Sequence, residues 1–332
     1  MRENNCTQER QVRFRYRMEL FFDGKVQDHH YTLKCLPETN LRQKIVRMET
    51  KLLPEGCHWE SSDAFGNREL LGVLREPHES FRVLVEGEVL LVKELSEAGA
   101  GAAPTLKLSE GIALYPEEAV NPDKLGIYRY PTRLTRPGER ILAYYEEILA
   151  KAGRGASYTD KAADDGSMQT DQQPRTEHLP QSQSGGGDYC RKNVCGTASF
   201  AVFMMHRLHA DFAYRKAATD VTTTAEQALE RGGGVCQDYA QIFLALLRLA
   251  GIPARYVTGI LEGEGQSHAW VEIALGGYWY GLDPTNDCAV AYAHVKIGSG
   301  RDFADCRISQ GVFFGAARQK LSVEALVQEI AD

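Results

Sequence analysis

Apolar and polar positions alternate over the first hundred residues. Val12, Phe14, Tyr16, Met18 and Leu20 are separated by Arg13, Arg15, Arg17 and Glu19, a period of two that predicts a strand with one buried face. Asp23-Gly24 carries the turn chemistry of a tight hairpin. The alternation resumes at Tyr31, Leu33 and Cys35, and again at Phe81, Val83 and Val85, with Val89 and Leu91 following Gly87. Short strands punctuated by turn residues predict a β-sandwich domain over residues 1–132.

A second unit, residues 133–332, begins with a change of period. Ile141, Leu142, Tyr145, Ile148 and Leu149 fall three and four apart, as on one helix face. Residues 153–197 are for the most part rich in Gly, Ser, Gln and Asp and poor in large aliphatics, so they are expected to form a disordered insertion in this domain. A helix over about 199–214 follows, and Thr223 to Glu226 has the spacing of a capping box opening a short one. After Gly232-Gly233-Gly234 comes a run from Tyr239 to Leu249 that is apolar nearly all round, broken only by a stripe at Gln241, Ala245 and Arg248. Such a helix is a buried one, and Gly251 and Pro253 end it. Strands are predicted at 254–259, at 267–275 and at 278–282, with a Gly-rich link at 262–265 between the first two.

Composition narrows the functions open to the chain. Its 332 residues are 43% apolar and 25% charged, as in globular proteins, and suffice for two domains. The net charge of −7 argues against general binding to nucleic acid or anionic membranes. No run of 18 apolar residues predicts a membrane span. The opening MRENNCTQERQVRF lacks the apolar core of a secretion signal, so most of the eight cysteines are expected as reduced thiols in the cytoplasm. Cys190 and Cys195 are spaced too widely for the usual zinc half-site, and no second pair matches them, so neither a metal nor a cofactor is expected.

The chemistry concentrates in the second unit. Cys236 opens the buried helix, His268 stands at the start of the 267–275 strand, and Asp283 at the end of the next. A free thiol is only a few per cent thiolate at neutral pH. Lowering its pKa by about three units requires roughly 4 kcal/mol, of which a helix N-terminus supplies about 0.3–2 kcal/mol. An imidazolium must supply the rest. In an antiparallel arrangement Asp283 comes beside His268, so the carboxylate can orient one ring nitrogen while the other faces Cys236. Taken singly, each is more often a packing or turn residue; their order along the chain is what points to nucleophilic catalysis. Trp270 is read as a core residue, and Asn286 and Asp302 as loop braces.

Gly-Gly-Val-Cys-Gln-Asp-Tyr-Ala at 233–240, Gly-Ile-Pro-Ala-Arg-Tyr-Val-Thr-Gly at 251–259, Ser-His-Ala-Trp-Val-Glu at 267–272, Leu-Asp-Pro-Thr-Asn at 282–286 and Gly-Arg-Asp-Phe-Ala-Asp at 300–305 resemble the bacterial transglutaminase-like family. The first domain, with Asp63-Ala-Phe-Gly-Asn67, looks like the β-domain that precedes this core. The resemblance implies an α+β protein with a papain-like core, the central helix packed on an antiparallel sheet, and Cys236, His268 and Asp283 as the catalytic residues. It implies a thiol-dependent amide hydrolase or acyltransferase of the cysteine-protease type, acting on a protein or peptide substrate. Protein-glutamine transamidation or deamidation is the alternative, and a non-catalytic peptide-binding scaffold the rival from another class.

Overall fold

A computed structural model describes residues 9–92, 104–109, 111–153, 186–216 and 219–330, and only the backbone of 186–193. The segment expected to be a disordered insertion falls largely outside the described residues. Its last part, from Gly186, is helical. The fold is α+β.

Eight strands build the first layer pair. They are β1 (Glu9–Leu33), β2 (Gln43–Leu53), β3 (Cys57–Ser62), β4 (Arg68–Leu74) and β5 (His78–Val92), joined by three strands from further along the chain. Asp23-Gly24 makes no hairpin: β1 runs through it for 25 residues. Up to Phe21, and again at Val26, the strand pairs with β5, and from His29 onward with β4. The register shifts between Phe21 and Val26, so one strand serves two sheets. Asp23 meets another segment there, accepting from the Arg318 N–H at 2.7 Å. The alternation read in the sequence is the inner face: Val12, Phe14, Tyr16, Met18, Leu20 and Phe22 are all buried.

Next come the short hairpin of β6 (Leu106–Lys107) and β7 (Ala113–Leu114), then β8 (Pro116–Ala119) and a 3₁₀ turn at Pro122–Tyr128. Four helices follow: α1 (Glu139–Lys151), α2 (Gly186–Asp211), α3 (Ala225–Arg231) and α4 (Cys236–Leu249), with β9 (Ala213–Tyr214) and β10 (Gly233–Gly234) paired in parallel between them. The capping box sits one residue later than the sequence spacing suggests, at Thr224 and Gln227. Glu226 is otherwise engaged, accepting from the backbone N–H groups of Gly138, Arg140 and Ile141 at the start of α1. The second sheet holds β8 with β11 (Ala254–Leu261), β13 (Ser267–Leu275), β14 (Tyr278–Asp283), β15 (Cys288–Ala289) and β16 (His294–Gly300). Helix α4 packs against β13 and β11. Every residue from Asp238 to Arg248 is buried, the supposed polar stripe included. Arg248 is reconciled to burial by donating to the carbonyls of Tyr128 and Ala254 and to the Thr135 hydroxyl.

A boundary at residue 132 does not describe how the strands are shared. β12 (Gly263–Gly265), β17 (Ser309–Phe314) and β18 (Gln319–Glu329) belong to the first domain's sheets, whereas β8 pairs with β14 of the second. The 262–265 link is therefore an edge strand rather than a plain loop. Its exposed glycines gave no apolar period by which to recognise a strand. β18 alternates too, and its Ala325 and Val327 complete the core opposite Tyr16 and Phe14. No helix among the described residues is long and apolar enough to cross a membrane.

Val327 is 1% exposed and Val312 70% exposed, which sets up a direct comparison. Val327→Asp should cost about 3 kcal/mol or more in urea unfolding, by burying an unpaired charge. Val312→Asp should stay within about 0.5 kcal/mol of the parent.

Candidate active site

The three residues singled out in the sequence come together where α4 meets the second sheet. Val235 precedes the helix in extended conformation, and its N–H donates to Asp238 Oδ2 at 2.7 Å. Thr219 Oγ1 donates to the same oxygen at 2.6 Å, tying the strand-helix junction to the preceding loop. Cys236 is thereby fixed as the first helical residue, half-buried, with a backbone N–H that has no acceptor within the helix.

His268 is brought to the sulfur by pairing between strands. β13 lies between β11 and β14, with Gly259 opposite His268 and Val271 opposite Leu282. Asp283 thus ends its strand beside the start of β13. His268 Nε2 lies 2.8 Å from Asp283 Oδ2, and the Cys236 side chain is close enough to the ring to act on its protonation. With Nε2 engaged by the carboxylate, Nδ1 is the ring nitrogen left for sulfur.

Burial alone would lower the pKa of His268. The hydrogen bond to Asp283 and the nearby Cys236 side chain, reinforced by their charges, outweigh burial and raise it to about 9. Asp283 has no exposed surface, and burial favours its neutral form. Hydrogen bonds from His268 and His294 overcome this and hold the carboxyl far below the usual range. Asn286 donates from Nδ2 to Oδ2 at 2.7 Å, while the Thr285 and Asn286 N–H groups serve Oδ1 at 3.0 and 3.2 Å. The loop-brace reading of Asn286 therefore describes a brace on the carboxylate itself. Asp302 accepts from the Ala304 N–H within its own loop.

Trp270 is 1% exposed and lies nearly parallel to the His268 ring, with centroids 6.2 Å apart. It crosses Gly259 so closely that a Cβ there would meet the indole at 2.4 Å. The Thr-Gly step of β11 is thus the space into which the indole fits.

His294 was missed in the sequence. It opens β16, buried, with Nε2 3.1 Å from Asp283 Oδ2. No motif marks it: it stands 11 residues after the aspartate, across an irregular loop. Its ligand atom and those of His268 and Asp283 all lie within 4.8 Å of one another, a donor set of the kind metals use. Here Oδ2 already faces three nitrogens, on His268, His294 and Asn286, so the cluster is complete as a hydrogen-bonded group.

The site's charges fix a pH signature. A depressed Asp283 stabilises the fold above its unfolded value of about 4, and that contribution fades as the pH falls below it. A raised His268 stabilises the fold below about 6.5, and its contribution is lost as the pH rises through about 9. The stability margin of the parent over Asp283→Asn, measured by denaturant unfolding, should therefore be widest between about pH 4 and 6.5 and narrow on both sides.

Comparison with known proteins places this geometry. Residues 192–284 match the transglutaminase-like superfamily, and residues 12–90 match the bacterial transglutaminase-like N-terminal region. An uncharacterized protein of Mycobacterium leprae is 36% identical over 128 residues, covering 36% of this chain and 46% of that protein. One from Mycobacterium tuberculosis (strain H37Rv) is 36% identical over 124 residues, 32% of this chain and 40% of that one. The chain thus spans less than half the length of the curated relatives it matches. A solved structure from Cytophaga hutchinsonii, named a "Putative Cysteine Protease", shares the fold with a TM-score of 0.64 at 17% identity, covering 98% of this chain and 92% of its own. The helix-and-sheet core thus carries the transglutaminase-like superfamily match, and the N-terminal sheets before it carry the match to the bacterial transglutaminase-like N-terminal region.

Proposed function

We propose that this protein is a cysteine-dependent acyl-transfer enzyme that hydrolyses peptide or isopeptide-type amides through a thioester. The observation that carries the reading is His268 held at 2.8 Å by the buried Asp283 carboxylate, with the Cys236 side chain near enough to raise its pKa as well. The Cys236 sulfur, its proton passed to His268, attacks the amide carbonyl and forms a C–S bond. The oxyanion is met by the Cys236 backbone N–H at the helix start. Gln237 Nε2, buried next to it and without a partner among the described residues, is a second donor to be tested. His268 returns the proton to the departing nitrogen as the C–N bond breaks, then takes one from the water that opens the thioester. Asp283 holds the imidazole in the required tautomer and stabilises its charge throughout.

The substrate in this reading is a protein or peptide, and a primary amine replacing water would turn hydrolysis into transamidation. A reducing, cytoplasmic setting, expected from the sequence, belongs to the same reading. The name of the Cytophaga hutchinsonii protein suggests the same class of chemistry.

At pH 6, iodoacetamide should label Cys236 at least tenfold faster than any other thiol, and His268→Ala should abolish the preference. Labelling of Cys236 no faster than of its neighbours would favour a peptide-binding scaffold with an idle site. A glutamine peptide offered with and without a primary amine should be cleaved at a backbone amide in both cases, with no amine incorporated, whereas ammonia release alone would select deamidation. Incorporation would select transamidation instead.

A further inference from the structure

We propose that His294 is a positioning residue for the Cys236–His268 pair, pinning the Asp283 carboxylate with an Nε2–H bond so that Oδ2 stays aimed at His268. The proposal rests on the cysteine-enzyme reading above. It begins from the partners of the His294 ring. The Ala291 N–H points at Nδ1 from 3.5 Å, and Asp283 Oδ2 faces Nε2 at 3.1 Å. A neutral imidazole has one donor and one acceptor nitrogen. A backbone N–H can only donate and a carboxylate can only accept, so the proton belongs on Nε2. The turn that presents Ala291 is itself closed by the His294 N–H donating to the Ala291 carbonyl at 3.1 Å.

The surroundings keep the ring neutral and still. Burial lowers the pKa of His294, opposed by the hydrogen bond and charge of Asp283 and aided by the charges of His268 and Arg42. His294 therefore supplies a proton to the carboxylate's shell without adding a second cation beside His268. The edge of Trp270 meets the ring at 5.2 Å and 77°, so the same indole borders both histidines.

The remaining groups around Asp283 leave His294 a distinct task. The loop N–H groups of Thr285 and Asn286 hold Oδ1, which fixes one end of the carboxylate. Oδ2, the oxygen that holds His268, is bordered by Asn286 on its own loop and by His294 from β16. The Cys288 thiol also feels this charge, and its pKa is pushed up to about 11 by burial and by Asp283 and Asp287. Among the described residues, only His294 ties Oδ2 to an element other than the β14 loop and β13. Its loss would let the carboxylate follow its loop away from the imidazole.

The test reads the alkylation of Cys236 by iodoacetamide against pH, in the full chain. His294→Phe fills the space without a donor, and His294→Gln restores an N–H close to the position of Nε2. The expected result for His294→Phe is a roughly tenfold slower reaction at pH 6 and an acid limb displaced upward by about one pH unit, as for the loss of one hydrogen bond to a charged group. His294→Gln should recover most of both, with melting temperatures verifying the fold. An unchanged rate and limb in a folded His294→Phe would overturn the proposal, as would a folded His294→Gln behaving like it. Nitrogen-15 NMR of the unmutated protein gives an answer even where a variant fails to fold: the proton should sit on Nε2 of His294, and a proton on Nδ1 would refute the assignment. If the parent itself shows no preferential labelling of Cys236 at pH 6, the enzyme reading fails, a result distinct from the failure of His294 alone.

Discussion

Asp283 is a carboxylate with no exposed surface, and the site is arranged around paying for its burial. Taken from water, such an anion is tolerated only with full hydrogen-bond compensation. Two histidines, one side-chain amide and two backbone N–H groups supply it, from β13, β16 and the loop after β14. The consequence is chemical as well as structural. A fully held carboxylate keeps its charge, and that charge keeps a proton on the neighbouring imidazole beside the sulfur at the helix start.

The two sheets are joined by the same kind of compensation. Arg42 of the first domain reaches Glu117 at 2.6 Å and the Val290 carbonyl at 2.9 Å, just before the turn that leads to His294. Gln43 exchanges two hydrogen bonds with the backbone of Lys296. Asn67, itself bound by Asp63, does the same with Ser299, so the Asp-Ala-Phe-Gly-Asn segment is a clamp on β16. Glu272 is buried with Arg255 at 2.6 Å and Lys296 at 2.9 Å. β16, which carries His294, is thus anchored along its length by the N-terminal domain. This gives that domain a physical part in the site without contributing a reacting group.

Much of this was legible in the residues. Period-two alternation found β1 and β5 because each buries one face only, and the all-round apolar run found α4 because it is buried on every side. Cys236, His268 and Asp283 could be picked out because each stands at an element boundary, where side chains from separate elements can converge. What escaped depended on partners distant in the chain. Asp23-Gly24 reads as a turn by local chemistry, yet a segment almost 300 residues away pairs with it and keeps the strand running. Gln241 and Arg248 read as a polar stripe on a buried helix, but polarity alone does not show which carbonyls await them. His294 had no periodic or motif context, and only the three-dimensional position of Asp283 gives it meaning. Local pattern shows which elements form; which distant groups neutralise one another is a tertiary fact.

The protonation of His268 is where these constraints meet, and an NMR titration of its ring measures it directly. The account predicts a midpoint near 9, since Asp283 and Cys236 together outweigh burial. A midpoint at or below the ordinary value of about 6.5 would mean that burial wins, and that no buried carboxylate holds a proton beside Cys236.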